Sequence, residues 1–180
     1  MQITPTPIPG LLVIDPVVWG DSRGFFLESF QADRYRDAGI DATFVQDNLS
    51  RSRRGTLRGL HYQIERPQGK LVQVVAGEIW DVVVDLRRSS PTFGQWAGFE
   101  LSDANHRQLY VPPGLAHGFC VLSESVDFLY KCTEYYSPAR ERTVLWNDPQ
   151  LAVTWPEIEP RIISAKDSAG TPWPSAEYYD

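Results

Sequence analysis

Through the middle of the chain, short runs rich in Val, Ile and aromatic residues alternate with turn residues about every eight to twelve positions. Few folds accommodate that rhythm. From Leu71 the runs are LVQVVA, IWDVVVDL, WAGFELS, HRQLYVP, HGFCVLS and SVDFLYKCT. Between them stand Gly77-Glu78, the loop SSPTFGQ, Ser102-Asp103-Ala104-Asn105, Pro112-Pro113-Gly114 and Ser123-Glu124-Ser125. β-Branched and aromatic residues suit a pleated surface, while Gly, Pro, Asn, Asp and Ser suit the turns. The pattern predicts a β-sandwich or barrel, and the Gly77-Glu78 pair predicts a hairpin joining the first two runs. Helix is scarce: ADRYRDAG is the best candidate, ended by Gly39. The C-terminal third, which includes NDPQLAVTWPEIEP, is punctuated by proline and is expected to wrap the body of the domain.

At 180 residues the chain is one domain's worth of sequence, expected to span 1–180 as a single unit with a proper core. No apolar run approaches the roughly 18 residues of a membrane span. MQITPTPIPG has neither the basic nor the apolar region of a signal peptide. These features predict a cytoplasmic protein, in which Cys120 and Cys132 are expected to stay reduced. The net charge of −6 argues against a nucleic-acid partner, which needs a basic footprint. An anionic small ligand then requires a local basic cluster, and Arg51, Arg53, Arg54, Arg58 and Lys70 supply one unless they form a solvated loop face.

Three histidines are present, and His61 sits beside that cluster in LRGLHYQ. Imidazole is the side chain best poised to carry protons near neutrality. Alternation places His117, Phe119 and Val121 on one face of their run, and Val126, Phe128, Tyr130 and Cys132 on one face of theirs. A barrel with those faces inward presents His61, His117 and Tyr130 to one cavity; the plain alternative is that His117 and Tyr130 are packed core residues. A His-x-His pair would open a β-barrel metal site, but the third residue here is Gln63. Zinc and iron sites want three or four ligands, and Arg58 and Lys70 repel a cation, so no metal is expected. The chain also lacks a G-x-S-x-G elbow, a P-loop and a dinucleotide glycine motif. Metal-free acid–base chemistry remains, with His61 as base, a carboxylate to orient it and Tyr130 as acid.

Taken in order, DSRGFFLESF, QDNLSRS, TLRGLHYQ, GKLVQVVAGEIWDVVVDLRRSSPTFG, PPGLAHGF, FLYKCTEYYSP, WNDP and SAKD cover nearly the whole chain. With them the sequence resembles the dTDP-4-dehydrorhamnose 3,5-epimerase family. The resemblance implies a mainly β, cupin-type jelly-roll barrel with short peripheral helices. It implies a homodimer with strand exchange, no cofactor, and dTDP-4-dehydro-6-deoxy-D-glucose as substrate, inverted at C3 and C5. It further implies His61 as base, Asp167 as the carboxylate that orients it, Tyr130 as acid and Lys70 as enolate partner. The substrate contacts it implies are Arg23, Phe26 and Glu28, some reaching a neighbouring subunit, then Gln46, Asp47, Asn48, Arg58, His117, Glu141 and Lys166. Arg58 and the region around Arg51 would meet the diphosphate, as guanidinium forks suit phosphate. Two departures are SAKD, where a glutamate often precedes the lysine, and Leu115, where an aromatic is common.

Strand parity puts Arg58 opposite His61, yet the resemblance has both touching ligand. A bulge at Gly59 reconciles the two, since glycine in a strand often marks one. Other readings are an epimerase acting at C3 or C5 alone, a 3,4-ketoisomerase, a metal-dependent oxygenase of the same barrel type, and a non-catalytic sugar-nucleotide binder.

Overall fold

The computed structural model describes residues 1–180. β1 (Gln2–Pro5) and β2 (Leu12–Asp15) are followed by a projecting hairpin, β3 (Val18–Asp21) and β4 (Gly24–Leu27), and by helix α1 (Ala32–Asp37). The body comprises β5 (Gln46–Arg53), β6 (Thr56–Gln63), β7 (Lys70–Ala76), β8 (Glu78–Asp85), β9 (Trp96–Ser102), β10 (Gln108–Val111), β11 (Leu115–Val121) and β12 (Ser125–Cys132). β13 (Glu141–Thr143), β14 (Ile162–Ile163) and helix α2 (Ala165–Ser168) belong to the C-terminal wrap. One sheet runs β1-β2-β10-β7-β12-β5 and the other β13-β6-β11-β8-β9, with β14 added beside β6. The molecule is mainly β, a cupin-type jelly-roll barrel with short helices outside it.

The runs on either side of Gly77 are strands, but they do not form the expected hairpin. β7 pairs with β10 and β12, whereas β8 pairs with β9 and β11. Gly77 is a corner between sheets, at φ +87, where a Cβ would lie 2.1 Å from the Ser125 carbonyl oxygen. Two more crossings close the same end. Arg54 N–H donates to Glu124 O (2.9 Å) and Gly55 N–H to Val121 O (3.0 Å). Ser123 Oγ accepts from Glu78 N–H and donates to Ser125 O. A glycine between two β runs reads alike as hairpin or corner; partners distant in sequence decide which.

The core between the sheets gathers Val72, Val74, Ile79, Val83, Leu101, Leu109, Phe119, Val121, Val126 and Phe128, among others. A second core lies on the outer face of β6, β11 and β8, where Leu57, Leu60, Val82, Val84 and Cys120 meet Val144, Leu151, Trp155 and Ile158 of the C-terminal wrap. Burial on both faces explains why β8 reads Val82-Val83-Val84 without alternation. Helix α1 covers part of the other sheet: Gln31 caps its N-terminus, Tyr35 packs with Ile14, Ile40 and Leu71, and Gly39 ends it at φ +92. Both cysteines are free; Cys120 lies in the outer core and Cys132 on the barrel interior. No helix is long and apolar enough to cross a membrane.

Asp85 organises the long β8–β9 loop. Its fully buried carboxylate accepts from Arg87 Nε and Nη2 (both 2.8 Å), Ser90 Oγ (2.6 Å) and Thr92 Oγ1 (2.7 Å). Burial pushes its pKa up, but the bonds from Arg87, Ser90 and Thr92 outweigh it and hold the group at about 2, against an ordinary 3.8. A carboxyl depressed by folding stabilises above its unfolded value and loses that contribution as pH falls through the folded one. At about 1.4 kcal/mol per unit, the contribution is about 2 kcal/mol. Asp85→Asn is therefore expected to lose at least that much unfolding free energy at pH 6. The gap to wild type should narrow by about 2 kcal/mol between pH 4 and pH 2, as read by urea unfolding.

Candidate active site

The site begins with an irregularity in β6. His61 pairs with His117 and Arg58 with Phe119, so three steps on β6 match two on β11. The extra residue turns Arg58 to the same side as His61, as the glycine between them suggested. Gly59 has φ +126, its peptide bond to Leu60 is cis, and a Cβ on it would lie 2.5 Å from Gly118 Cα. Gly118 is equally constrained, its own Cβ position lying 2.7 Å from Arg58 O. Only a glycine on each strand permits this approach.

Away from the three corners, the sheets enclose a cavity of about 390 Å³. β5 lends Gln46, Asn48 and Ser50, β6 lends Arg58 and His61, and β7 lends Lys70. β11 lends His117, Gly118 and Phe119, and β12 lends Phe128, Tyr130 and Cys132; Gln68, Tyr136 and Glu141 complete the lining. Phe119 and Phe128, with centroids 4.6 Å apart, form an apolar floor, and His117 stacks on Phe128 at 6.1 Å. Tyr130 and His61 belong to different sheets and reach the cavity from opposite walls.

His61 Nε2 lies 2.5 Å from Asp167 Oδ1. Helix α2 delivers Asp167, its N–H accepted by Ser164 Oγ at 3.1 Å. Burial pushes the Asp167 pKa up, but bonds from His61, Ser164 and the Gly59 backbone outweigh it and hold it below the ordinary value. An ionised carboxylate only accepts, so Nε2 carries the proton and Nδ1 keeps the lone pair of a base. A second pair joins His117 Nε2 to Asp81 Oδ2 at 2.8 Å. Asp81 is fully buried and its Oδ1 has no partner; burial raises its pKa against the pull of His117 and Lys70.

Lys70 makes no ion pair with a protein carboxylate, which leaves its ammonium free for the cavity. Burial lowers its pKa, opposed by the fields of Cys132, Asp81 and Glu141. Burial also raises the Tyr130 phenol, aided by Cys132 and Glu141 and opposed by Arg58, so Tyr130 enters neutral solution as a proton donor.

The fold thus brings His61, Lys70, Tyr130, Gln46, Asn48, Arg58, His117 and Glu141 to one cavity, with Asp167 and Lys166 bonded behind His61 and Glu141. Asp47 is not among them: strand alternation turns it outward to Lys131, 2.8 Å away. Arg51 is likewise outside the cavity, committed to Asp127 at 2.5 Å. Arg23, Phe26 and Glu28 lie on or beside the projecting hairpin, where Arg23 binds Asp21, Phe26 rests on Trp19 and Glu28 binds Arg34. They do not line this chain's cavity. Gln63 is structural: its amide donates to Arg66 O and Tyr135 O and accepts from Ser137 N–H. No three His, Cys, Asp or Glu side chains converge as a metal site. Leu115 packs in the inner core rather than in the cavity wall.

Ser50, Gln68, Asp81, Cys132 and Tyr136 were not singled out by sequence as site residues. Alternation from Gln46 and Asn48 leads to Ser50, and an acid set between Trp80 and the valines Val82-Val83-Val84 marks Asp81 as unusual. Nothing local marks Gln68 or Tyr136, which reach the cavity from loops.

The family described as dTDP-4-dehydrorhamnose 3,5-epimerase matches residues 5–174. The dTDP-4-dehydrorhamnose 3,5-epimerase of Pseudomonas aeruginosa is 51% identical over 180 residues, 99% of each chain. That of Neisseria gonorrhoeae is 50% identical over 98% of this chain, which spans 54% of the relative's length. Among solved structures, the dTDP-6-deoxy-D-glucose-3,5-epimerase of Legionella pneumophila in complex with dTDP-4-keto-L-rhamnose is 54% identical, with TM-score 0.95 over 98% of this chain and 94% of that one.

The Gly59–Gly118 contact makes a direct prediction. Gly59→Ala combines backbone strain with overpacking and is expected to cost roughly 2–5 kcal/mol in urea unfolding. Gly24→Ala carries similar strain (φ +132) with nothing within 4 Å. It should cost only about 1–3 kcal/mol.

Proposed function

The chain belongs to the dTDP-4-dehydrorhamnose 3,5-epimerase family, and from that premise we propose that it inverts C3 and C5 of dTDP-4-dehydro-6-deoxy-D-glucose. The C4 ketone acidifies both neighbouring C–H bonds. His61 takes a proton from one face, and the electron pair moves into an enolate whose oxygen Lys70 stabilises. Tyr130 returns a proton from the opposite wall, which inverts the centre. The imidazolium then loses its proton and the phenolate regains one, and the cycle repeats at the second carbon. Asp167 holds the imidazole in its tautomer and balances its positive charge. The observation that carries this reading is the His61–Asp167 pair facing Tyr130 across one cavity.

The magnitudes are sufficient. A positioned acid or base contributes about 10²–10⁴-fold each. A donor aimed at a developing oxyanion contributes roughly 2.7–4 kcal/mol. This enolisation uses no metal or cofactor, and the cationic Lys70 and Arg58 make the cavity inhospitable to a metal cation.

Gln46, Asn48, Arg58, His117, Glu141 and Lys166 are assigned to the dTDP-sugar, with Arg58 toward the diphosphate. Arg23, Phe26 and Glu28 are assigned to the cavity of a second copy, in a homodimer with strand exchange. Support comes from the exposed Trp19, Phe25 and Phe26 on the hairpin and from Leu49 and Val75 on the uncovered sheet face. Large apolar side chains left exposed in groups mark an interaction surface. The enzyme is assigned to the cytoplasm, with residues 1–180 acting as one catalytic unit.

Incubation with substrate in heavy water is expected to place deuterium at both C3 and C5, read by NMR or mass spectrometry. Label at one carbon alone would make the enzyme a single-centre epimerase. His61→Asn is expected to lower turnover by at least about 10²-fold while dTDP affinity, measured by calorimetry, stays nearly unchanged. Unchanged turnover would remove His61 from the role of base.

A further inference from the structure

Helix α2 has only four residues and carries Lys166 and Asp167 side by side. A single turn does not hold itself in water, so its place depends on what fastens it. Two side-chain pairs tie it to the sheet: Asp167 to His61 on β6, and Lys166 Nζ to Glu141 Oε2 on β13. β13 lies beside β6, with Glu141 opposite Gln63 and Thr143 opposite His61. Glu141 does a second thing with the same oxygen, which accepts the Tyr136 hydroxyl at 2.7 Å. Tyr136 is half exposed at the cavity, on the loop between β12 and β13, and its N–H donates to Gln46 Oε1 at 2.9 Å.

We propose that Glu141 is a positioning residue for the catalytic pair: through Lys166 it sets the helix that presents Asp167 to His61, and through Tyr136 it ties that setting to the occupied cavity. The proposal rests on His61 being the base. It gives Glu141 a task distinct from touching substrate. A ligand seated against Tyr136 orders that ring, the ring orders the Glu141 carboxylate, and the carboxylate fixes Lys166 and, one residue on, Asp167. Glu141 is suited to the task because its side chain is only 16% exposed. Burial pushes its pKa up, but the Lys166 and Tyr136 bonds and the field of His61 outweigh this and keep it ionised.

His61 is also faced by Arg58 of its own strand, Lys70 of β7, His117 of β11 with Asp81 of β8, and Tyr130 of β12. Altering Glu141 therefore changes both the field on His61 and the placement of Asp167, and a titration alone would mix the two. The Nε2–H proton of His61 reports the bond itself. In the intact substrate-free enzyme it should give a downfield imidazole resonance protected from exchange. Glu141→Gln keeps an acceptor for Tyr136 but not the ion pair, and Lys166→Met removes the pair from the exposed side, where folding is not at stake. The two substitutions change the local charge in opposite directions. Both are expected to lose the protected resonance and to lower kcat at saturating substrate by roughly tenfold to a hundredfold, the cost of a misplaced catalytic group. Glu141→Asp should recover part of both. A resonance that persists in both variants, with kcat retained and only KM raised, would overturn the proposal and leave Glu141 as a substrate contact. Failure of the base assignment is separate, since it is read from turnover of His61→Asn.

Discussion

Between β6 and β11 the backbones approach so closely that a Cβ on Gly59 or Gly118 would sit within 2.7 Å of the facing strand. The extra residue in β6 at this contact turns Arg58 inward beside His61. Without it, alternation would send one of the two to the outer core, where neither charge nor imidazole would be tolerated. The Gly59 backbone also helps to hold the Asp167 carboxyl below its ordinary pKa, so the residue at the irregularity favours the charged form of the base's partner.

Around that contact the cavity sorts its ionisable groups by surroundings. Asp167 is buried but well supplied with donors, and it stays charged. Tyr130 is half-buried without a comparable partner, and its phenol keeps its proton. Lys70 feels burial against three negative or ionisable neighbours and holds its proton less firmly than a surface lysine. Environments that push groups apart in this way assign a base, an acid and an electrostatic partner within one small volume.

The strands were legible because their composition and spacing are local properties. The choice between hairpin and corner at Gly77 was not, because it depends on Ser123 and Ser125, nearly fifty positions away. The uninterrupted Val82-Val83-Val84 run was similarly mute about the wrap that covers its second face. Gly59 could be read correctly because parity and resemblance disagreed there and a glycine stood at the point of conflict. Parity alone sufficed to separate Asp47 from Gln46 and Asn48, but the resemblance treated the three as a block. Asp167 lies 106 residues from His61, and no pattern of spacing joins them; only the resemblance did.

The C-terminal wrap has a meaning for the order in which the molecule matures. Its strands and tryptophans seal the outer core, and α2 at its far end supplies the carboxylate for a histidine made more than a hundred residues earlier. The strands β5 to β12, which carry His61, Lys70 and Tyr130, all precede Asp167 in the chain, so the base is made well before its counterion. Catalytic competence then waits on the docking of α2, and turnover reports that the chain has been made and wound at least as far as Asp167.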